Sequence, residues 1–189
     1  MNALRISAIS LLFVMTGCSW QKIPPSPSYV TNDTIPLKVA ITGKSDEAQM
    51  IDGLATELKG MKLFDSITYP YRDGDPVDLV LDLQPTFVAD TSGNFGRGFL
   101  IGATFFTLSP FMGPKVEYDA LVPATIKKPS GKTIAEIKAE DHMNVEFGLG
   151  ANTNDVRVKS RQVIIQRLAD DLAKKIRGIR SSLISASKS

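Results

Sequence analysis

One uncharged stretch, residues 98–114, constrains this chain more than any other feature of its sequence. It contains four of the nine phenylalanines, three glycines and two prolines, and no charged side chain. At seventeen residues it is shorter than the ~20 that a membrane-spanning helix needs, and proline interrupts regular helices. Apolar side chains in this number must still be removed from water somewhere.

Three interpretations of this stretch remain open: a buried piece of the core, a loop that dips into a membrane, and a contact with another subunit or partner. The flanking residues Asp90–Asn94 and Lys115 are polar, which favours an insertion that leaves the sheet. The other predicted elements already supply a core, so we expect segment 95–114 to contact a membrane or a partner. The predicted contact residues are its large apolar side chains: Phe99, Leu100, Ile101, Phe105, Phe106, Leu108 and Phe111.

The first 17 residues have the pattern of a secretory signal. A short basic region ends at Arg5, and an apolar run follows that is too short to span a membrane. Residues 14–18 resemble the bacterial lipobox, in which small residues precede a cysteine that becomes acylated. The resemblance implies that residues 1–17 are a lipoprotein signal peptide and that Cys18 is the lipidated residue. An ordinary signal peptide is the alternative.

Ser19, and not an aspartate, follows Cys18. The resemblance to enterobacterial lipoproteins implies that a protein with this residue is sorted to the periplasmic face of the outer membrane. Residues 18–34 are rich in proline and serine without an apolar period, so we expect them to form the acylated cysteine and an extended tether. Residues 179–189 are rich in serine, and we expect them to be a flexible tail.

Residues 35–178 are predicted to form one periplasmic domain with the apolar insertion 95–114. Alternation predicts strands and a 3.6-residue period predicts helices. The expected strands are 37–41, 66–71, 77–84, 116–127 and 132–147, and the expected helices run from about 46 to 58 and from 156 to 177. This order predicts an α+β fold, with a mostly antiparallel sheet and two helices packed on one face.

Three segments of the chain carry a resemblance to known families. They are residues 58–69 with Phe64-Asp65-Ser66-Ile67, Val77–Leu81 and the long C-terminal helix. In element order and apolar anchors, residues 36–178 resemble envelope lipoproteins of the PelC and LpoB kind, and the amino-terminal domain of TolB is similar. The resemblance implies a non-enzymatic assembly part that forms rings or contacts membrane partners. It carries over no functional residue.

Composition excludes several functions. With 22 basic and 20 acidic residues, the chain lacks the excess of positive charge that nucleic-acid binding requires. One cysteine and one histidine argue against a disulfide framework within the chain and against most metal sites. We expect no metal and no cofactor. His142 has no nucleophile beside it, and alternation along a strand explains the carboxylates Glu136, Glu140, Asp141 and Glu146 as a solvated face.

The sequence therefore predicts a membrane-anchored envelope lipoprotein that acts as a structural or assembly accessory and is not an enzyme. Its expected partners are the membrane, through the N-terminal lipid, and either an envelope protein or further copies of itself. The alternative is a periplasmic module that binds a small molecule or a glycan in a pocket under the apolar segment.

Overall fold

A computed structural model describes residues 20–27, 33–44, 48–104 and 112–188. These ranges contain seven strands and four helices. The strands are β1 (Gln21–Lys22), β2 (Ile35–Gly43), β3 (Phe64–Thr68), β4 (Leu79–Leu83), β5 (Thr86–Asp90), β6 (Lys115–Lys127) and β7 (Thr133–Phe147). The helices are α1 (Ala48–Gly60), α2 (Asn94–Ala103), α3 (Thr153–Gly178) and α4 (Arg180–Lys188).

The strands form one mixed sheet in the order β1-β7-β6-β4-β2-β3, and β5 also pairs with β6. Strand β2 runs parallel to both β3 and β4, whereas β4 is antiparallel to β6. The predicted α+β class is confirmed, but the prediction of a mostly antiparallel sheet is wrong. A helix, α1, connects β2 to β3, and such a crossover returns the chain in the same direction.

The prediction of two helices is also wrong, since the described residues contain four. Helix α2 occupies the first part of the apolar insertion. Helix α4 lies in the segment expected to be a flexible tail, and its Leu183 is fully buried. Sequence periodicity did not predict α4 because a single buried leucine in nine residues leaves no apolar stripe to recognise.

The chain divides into two compact units. Unit 1 comprises the described residues of Met1–Pro25 with Ala89–Tyr118 and His142–Arg161, and unit 2 comprises those of Ser26–Val88, Asp119–Asp141 and Gln162–Ser189. Strands β6 and β7 and helix α3 pass through both units, so the division does not follow element boundaries.

Unit 2 contains an extensive apolar core. Its strand β2 alternates between buried and exposed residues from Ile35 to Val39. Helix α1 buries residues at helical spacing, Met50, Leu54 and Leu58 among them. A Cβ at Gly53 would lie 2.8 Å from Ile165 Cδ1, so the missing side chain permits the close approach of α1 and α3. Further buried residues on α3 are Ile164, Leu168, Leu172 and Ile176.

Among its described residues, unit 1 buries fewer apolar side chains than unit 2 does. Its buried apolar residues are Ile101, Tyr118, Met143, Val145, Phe147 and Val156. Strand β1 pairs antiparallel with the end of β7, with Gln21 opposite Phe147 and Lys22 opposite Glu146. The Gly148 N–H also donates to the Trp20 carbonyl at 2.7 Å. Residues 20–22, near the predicted lipid site, are therefore held in the sheet.

Candidate functional site

Helix α2 carries large apolar side chains on its exposed side. The exposed fraction is 88% for Phe95, 69% for Phe99 and 47% for Leu100. Phe95 and Phe99 are four residues apart, so they lie one above the other on the same side of the helix. We refer to Phe95, Phe99 and Leu100 as the aromatic face.

On its opposite side, α2 is held against the rest of unit 1 by one apolar and two polar residues. The Asn94 Oδ1 atom accepts a hydrogen bond from the Lys115 N–H at 2.6 Å. Arg97 donates from Nη2 to Glu146 Oε1 at 2.7 Å, and Ile101 is only 3% exposed. Residues 94, 97 and 101 follow the helical spacing of three and four, so one side of α2 supplies every one of these contacts.

A polar turn sets where α2 begins. The Asp90 carboxylate accepts hydrogen bonds from the Ser92 N–H at 2.7 Å and from its hydroxyl at 3.1 Å. These bonds hold the pKa of Asp90 below its ordinary value. Asn94 N–H donates to the Thr91 carbonyl at 3.1 Å, and the helix starts there. Asp and Ser in such turns bind nearby backbone groups, which explains why the chain changes direction before the helix.

Glu146 is the electrostatic centre of this arrangement. Besides Arg97, Lys22 Nζ lies 3.7 Å from Glu146 Oε2. The hydrogen bond from Arg97 lowers the pKa of Glu146, and the positive charges of Arg97, Lys22 and Lys115 act in the same direction. Glu146 is therefore ionised at neutral pH and neutralises Arg97, the only charged residue of α2.

The same carboxylate links α2 to the N-terminal segment. Lys22 Nζ lies 5.0 Å from the centre of the Trp20 ring, within the range of a cation–π contact. Gln21 Oε1 accepts from Lys159 Nζ of α3 at 3.5 Å. Strand β1 and helix α2 thus share one anchoring residue at the end of β7.

Exposed apolar side chains are concentrated in unit 1. Six large apolar residues are exposed among the described ones, and five of them belong to this unit. The five are Phe95, Phe99, Leu100, Leu149 and Val158, whereas Val88 belongs to unit 2. Neighbouring exposed apolar side chains, such as Phe95 and Phe99 one helical turn apart, are characteristic of surfaces that meet a protein or a membrane.

The structure distributes the predicted contact residues unevenly. Phe99 and Leu100 lie on the aromatic face, whereas Ile101 is buried beneath the helix. Cys18 and the remaining predicted contacts lie outside the described residues, namely Phe105, Phe106, Leu108 and Phe111. Phe95 lies in the predicted contact segment 95–114 but was not one of the named contact residues, although it is the most exposed residue of the aromatic face. Its i, i+4 spacing to Phe99 is the signal that could have found it.

A cavity of about 220 Å³ lies beside the start of α2. Its lining is polar and contains both signs of charge: Asp90, Ser92, Gly93, Arg97, Lys115 and Glu117. Arg97 Nε is buried and makes no hydrogen bond with any described residue. The charged and hydroxyl side chains of this lining include both donors and acceptors for a small polar molecule.

The side chains considered for catalysis are dispersed. Glu136, Glu140 and His142 are exposed on β7. Asp141 accepts from Arg167 Nη1 at 3.4 Å. In the described ranges, no group of three or more His, Cys, Asp and Glu residues is arranged to hold a metal ion. None of the described helices is long and apolar enough to cross a membrane.

Several solved structures resemble this chain. A homolog of neuraminyllactose-binding hemagglutinin from Helicobacter pylori has a TM-score of 0.53 at 10% identity, covering 88% of this chain and 97% of that chain. The minor lipoprotein from Acinetobacter baumannii has a TM-score of 0.47 at 16% identity, covering 79% and 94%. The PelC dodecamer from Paraburkholderia phytofirmans has a TM-score of 0.34 at 13% identity, covering 82% and 95%.

No protein-family model matches the chain, and none of the curated proteins does. Lipoproteins and PelC are thus among the solved structures to which the chain is similar. At 10% identity, the likeness to the Helicobacter structure shows a shared fold and nothing about function. The aromatic face and its anchoring to β7 remain the features from which a function can be argued.

Proposed function

We propose that this chain is a lipid-anchored envelope protein that acts as a non-enzymatic structural or assembly accessory of a cell-envelope complex. The observation that carries the proposal is the aromatic face of α2, which exposes two phenylalanines on a helix fixed from its other side. A fixed apolar surface loses little conformational entropy when it meets a partner, which makes it suited to recognition.

The lipobox-like sequence ending at Cys18 supports the anchor, and Ser19 supports the periplasmic face of the outer membrane. The fixed position of Trp20 supports a short connection between anchor and domain. In this proposal the anchor restricts the protein to one membrane, and the aromatic face makes the contact on which its accessory role depends.

Photocrosslinking in intact cells tests the proposal. A photoreactive amino acid is placed at Phe99 of the lipidated full chain, and a matched control carries it at Lys59, an exposed position on α1. Adducts are read by gel shift and mass spectrometry. We expect adducts with an envelope protein or with lipid from position 99 and none from position 59.

Two results would contradict the proposal. Crosslinks from position 99 that stay within one chain would show that the aromatic face is covered by the protein itself. Equal crosslinking from positions 99 and 59 would show contact without any preference for this face. A regular ladder of adducts from position 99 would identify the partner as further copies of the same chain.

A second candidate function, binding of a small polar molecule, is favoured by the cavity whose charged lining includes Arg97. The test is native mass spectrometry of the protein purified from cells, comparing the parent chain with Arg97→Met. A molecule bound to the parent chain and lost in the variant would support this candidate. Equal spectra without bound mass would contradict it.

A further inference from the structure

We propose that the aromatic face binds the same lipid bilayer that holds the acyl chains of Cys18. The inference rests on the proposed function, because it requires the lipid anchor. It goes further by assigning one occupant to the face, a phospholipid surface, and by identifying strand β1 as the element that brings the face to that surface.

The first step concerns the length of chain between the anchor and the domain. Trp20 is held by its carbonyl, which accepts from Gly148, and the next two residues pair with β7. Only Ser19 stands between Trp20 and Cys18, and two residue steps span at most about 7 Å. The attachment point of the lipid therefore stays within about 7 Å of Trp20, which is bonded to the residue that follows β7.

The second step connects that strand end to α2. Lys22 and Arg97 both contact the Glu146 carboxylate, from β1 and from α2 respectively. Glu146, which Lys22 of the N-terminal segment contacts, therefore also holds the helix that carries the aromatic face. All of these residues belong to unit 1, so the argument lies within one compact body.

The chemistry of α2 suits an apolar boundary. Its only charge, on Arg97, is paired with Glu146 on the inner side, so the helix presents no bare charge to hydrocarbon. Among the described residues, none has an atom within 4 Å of a Cβ placed at Gly98 or Gly102, so neither position packs against that part of the chain. The seven residues after Thr104 along the chain are uncharged and include three phenylalanines.

Unit 1 also carries groups that favour the headgroup region. Trp20 is the only tryptophan of the chain, and Lys22 beside it has a 68% exposed side chain. Arg157 and Lys159 are also exposed in this unit. Tryptophan prefers membrane interfaces, and basic residues are attracted to anionic lipids.

Quenching of tryptophan fluorescence by brominated lipids tests the inference. The lipidated full chain is reconstituted into vesicles of phosphatidylcholine and phosphatidylglycerol that carry bromine on the acyl chains. In a Trp20→Phe background, Phe99→Trp places the probe on the aromatic face, and Lys59→Trp is the matched control in unit 2. The parent chain, with Trp20 alone, reports on the anchor.

We expect the tryptophan at position 99 to lose a large share of its fluorescence, because it is inserted among the acyl chains, and the control at position 59 to lose almost none. Quenching of the parent Trp20 without quenching at position 99 would overturn the inference and leave the proposed function intact. Equal quenching at positions 99 and 59 would also overturn it. If the parent chain is not lipidated and does not bind vesicles, the proposed function fails as well.

Discussion

Helices α1 and α2 distribute their apolar residues in opposite ways. Helix α1 buries Met50, Leu54 and Leu58, whereas α2 exposes Phe95 and Phe99. Apolar content does not explain the difference, because α2 is an apolar helix with one charged residue. What differs is the surface beneath each helix: α1 belongs to an apolar core, whereas α2 is held by the Glu146 carboxylate and by the Lys115 backbone N–H.

The comparison teaches that two polar contacts and one buried isoleucine can hold a helix while its phenylalanines stay exposed. Arg97 and Asn94 occupy the inner side of α2, so its phenylalanines remain outside. In unit 2, large apolar side chains are buried instead and stabilise the fold. We infer that apolar residues stabilise folding in α1 and serve an external contact in α2.

The largest effect on stability is expected from the core of α1. Leu54 is fully buried, so Leu54→Ala removes apolar contacts and leaves a cavity. We expect the free energy of unfolding to fall by about 3 kcal/mol. Urea denaturation of the variant and the parent measures this. A loss as small as that caused by Phe99→Ala, about 0.5 kcal/mol or less, would remove the distinction between the two helices.

The next effect compares two glycines of unit 1. A Cβ at Gly113 would lie 1.9 Å from the Phe147 carbonyl oxygen, which requires the backbone to move. We expect Gly113→Ala to lower the free energy of unfolding by about 2 kcal/mol. Gly98→Ala is the matched control within α2, where space is open, and it should raise stability by about 0.5 to 1 kcal/mol. Destabilisation by Gly98→Ala would show that the outer side of α2 is covered.

The electrostatic anchoring of α2 gives a smaller effect that depends on pH. Because Arg97 lowers the pKa of Glu146 in the folded state, ionised Glu146 stabilises the fold at neutral pH. This contribution is present above the unfolded pKa and is lost as the pH falls through the lowered folded pKa. We expect Glu146→Gln to cost about 1 kcal/mol at pH 7 and progressively less under acid conditions.

Thermal unfolding between pH 7 and pH 3 measures this difference. Glu136→Gln is the control, since Glu136 is an exposed carboxylate on the same strand. An equal, pH-independent effect of both substitutions would contradict the assigned role of Glu146.

The smallest effect on stability is expected from the aromatic face itself. Phe95→Ser combined with Phe99→Ser removes two exposed side chains, so the free energy of unfolding should change by less than about 0.5 kcal/mol. We expect a photoreactive residue in place of Leu100 to form adducts in intact cells. The double variant should abolish these adducts. Unchanged adducts would show that the phenylalanines do not make the contact.

The sequence predicts local elements of this fold better than their pairing. The alternating residues around Val39 and the apolar spacing around Leu168 predict β2 and α3, and the structure confirms both. The sequence does not predict the parallel pairing of Val39 with Leu79. Parallel strands are joined by long crossover connections, so their pairing leaves no local pattern in the sequence. The antiparallel pairing of Gln21 with Phe147 is not predicted either, because the two residues lie far apart in the sequence and leave no local pattern.

The candidate site is predictable only in part. The uncharged run that includes Phe99 and Leu100 correctly predicts an unusual apolar segment. It does not reveal which side of the helix faces inward, because that is decided by Asn94 and Arg97, which lie before the run and contact distant residues. The burial of Ile101 between exposed neighbours follows from the same contacts.

The most direct test of the central claim measures the water exposure of position 99 in two states of the protein. A fluorinated phenylalanine at Phe99 is observed by ¹⁹F NMR with a water-soluble paramagnetic agent, first in the non-lipidated Cys18→Ala chain in solution and then in the lipidated chain in native membranes. Our account predicts strong paramagnetic relaxation in solution and protection in the membrane. Protection in both states would place Phe99 in the core, and exposure in both would show that the aromatic face makes no contact.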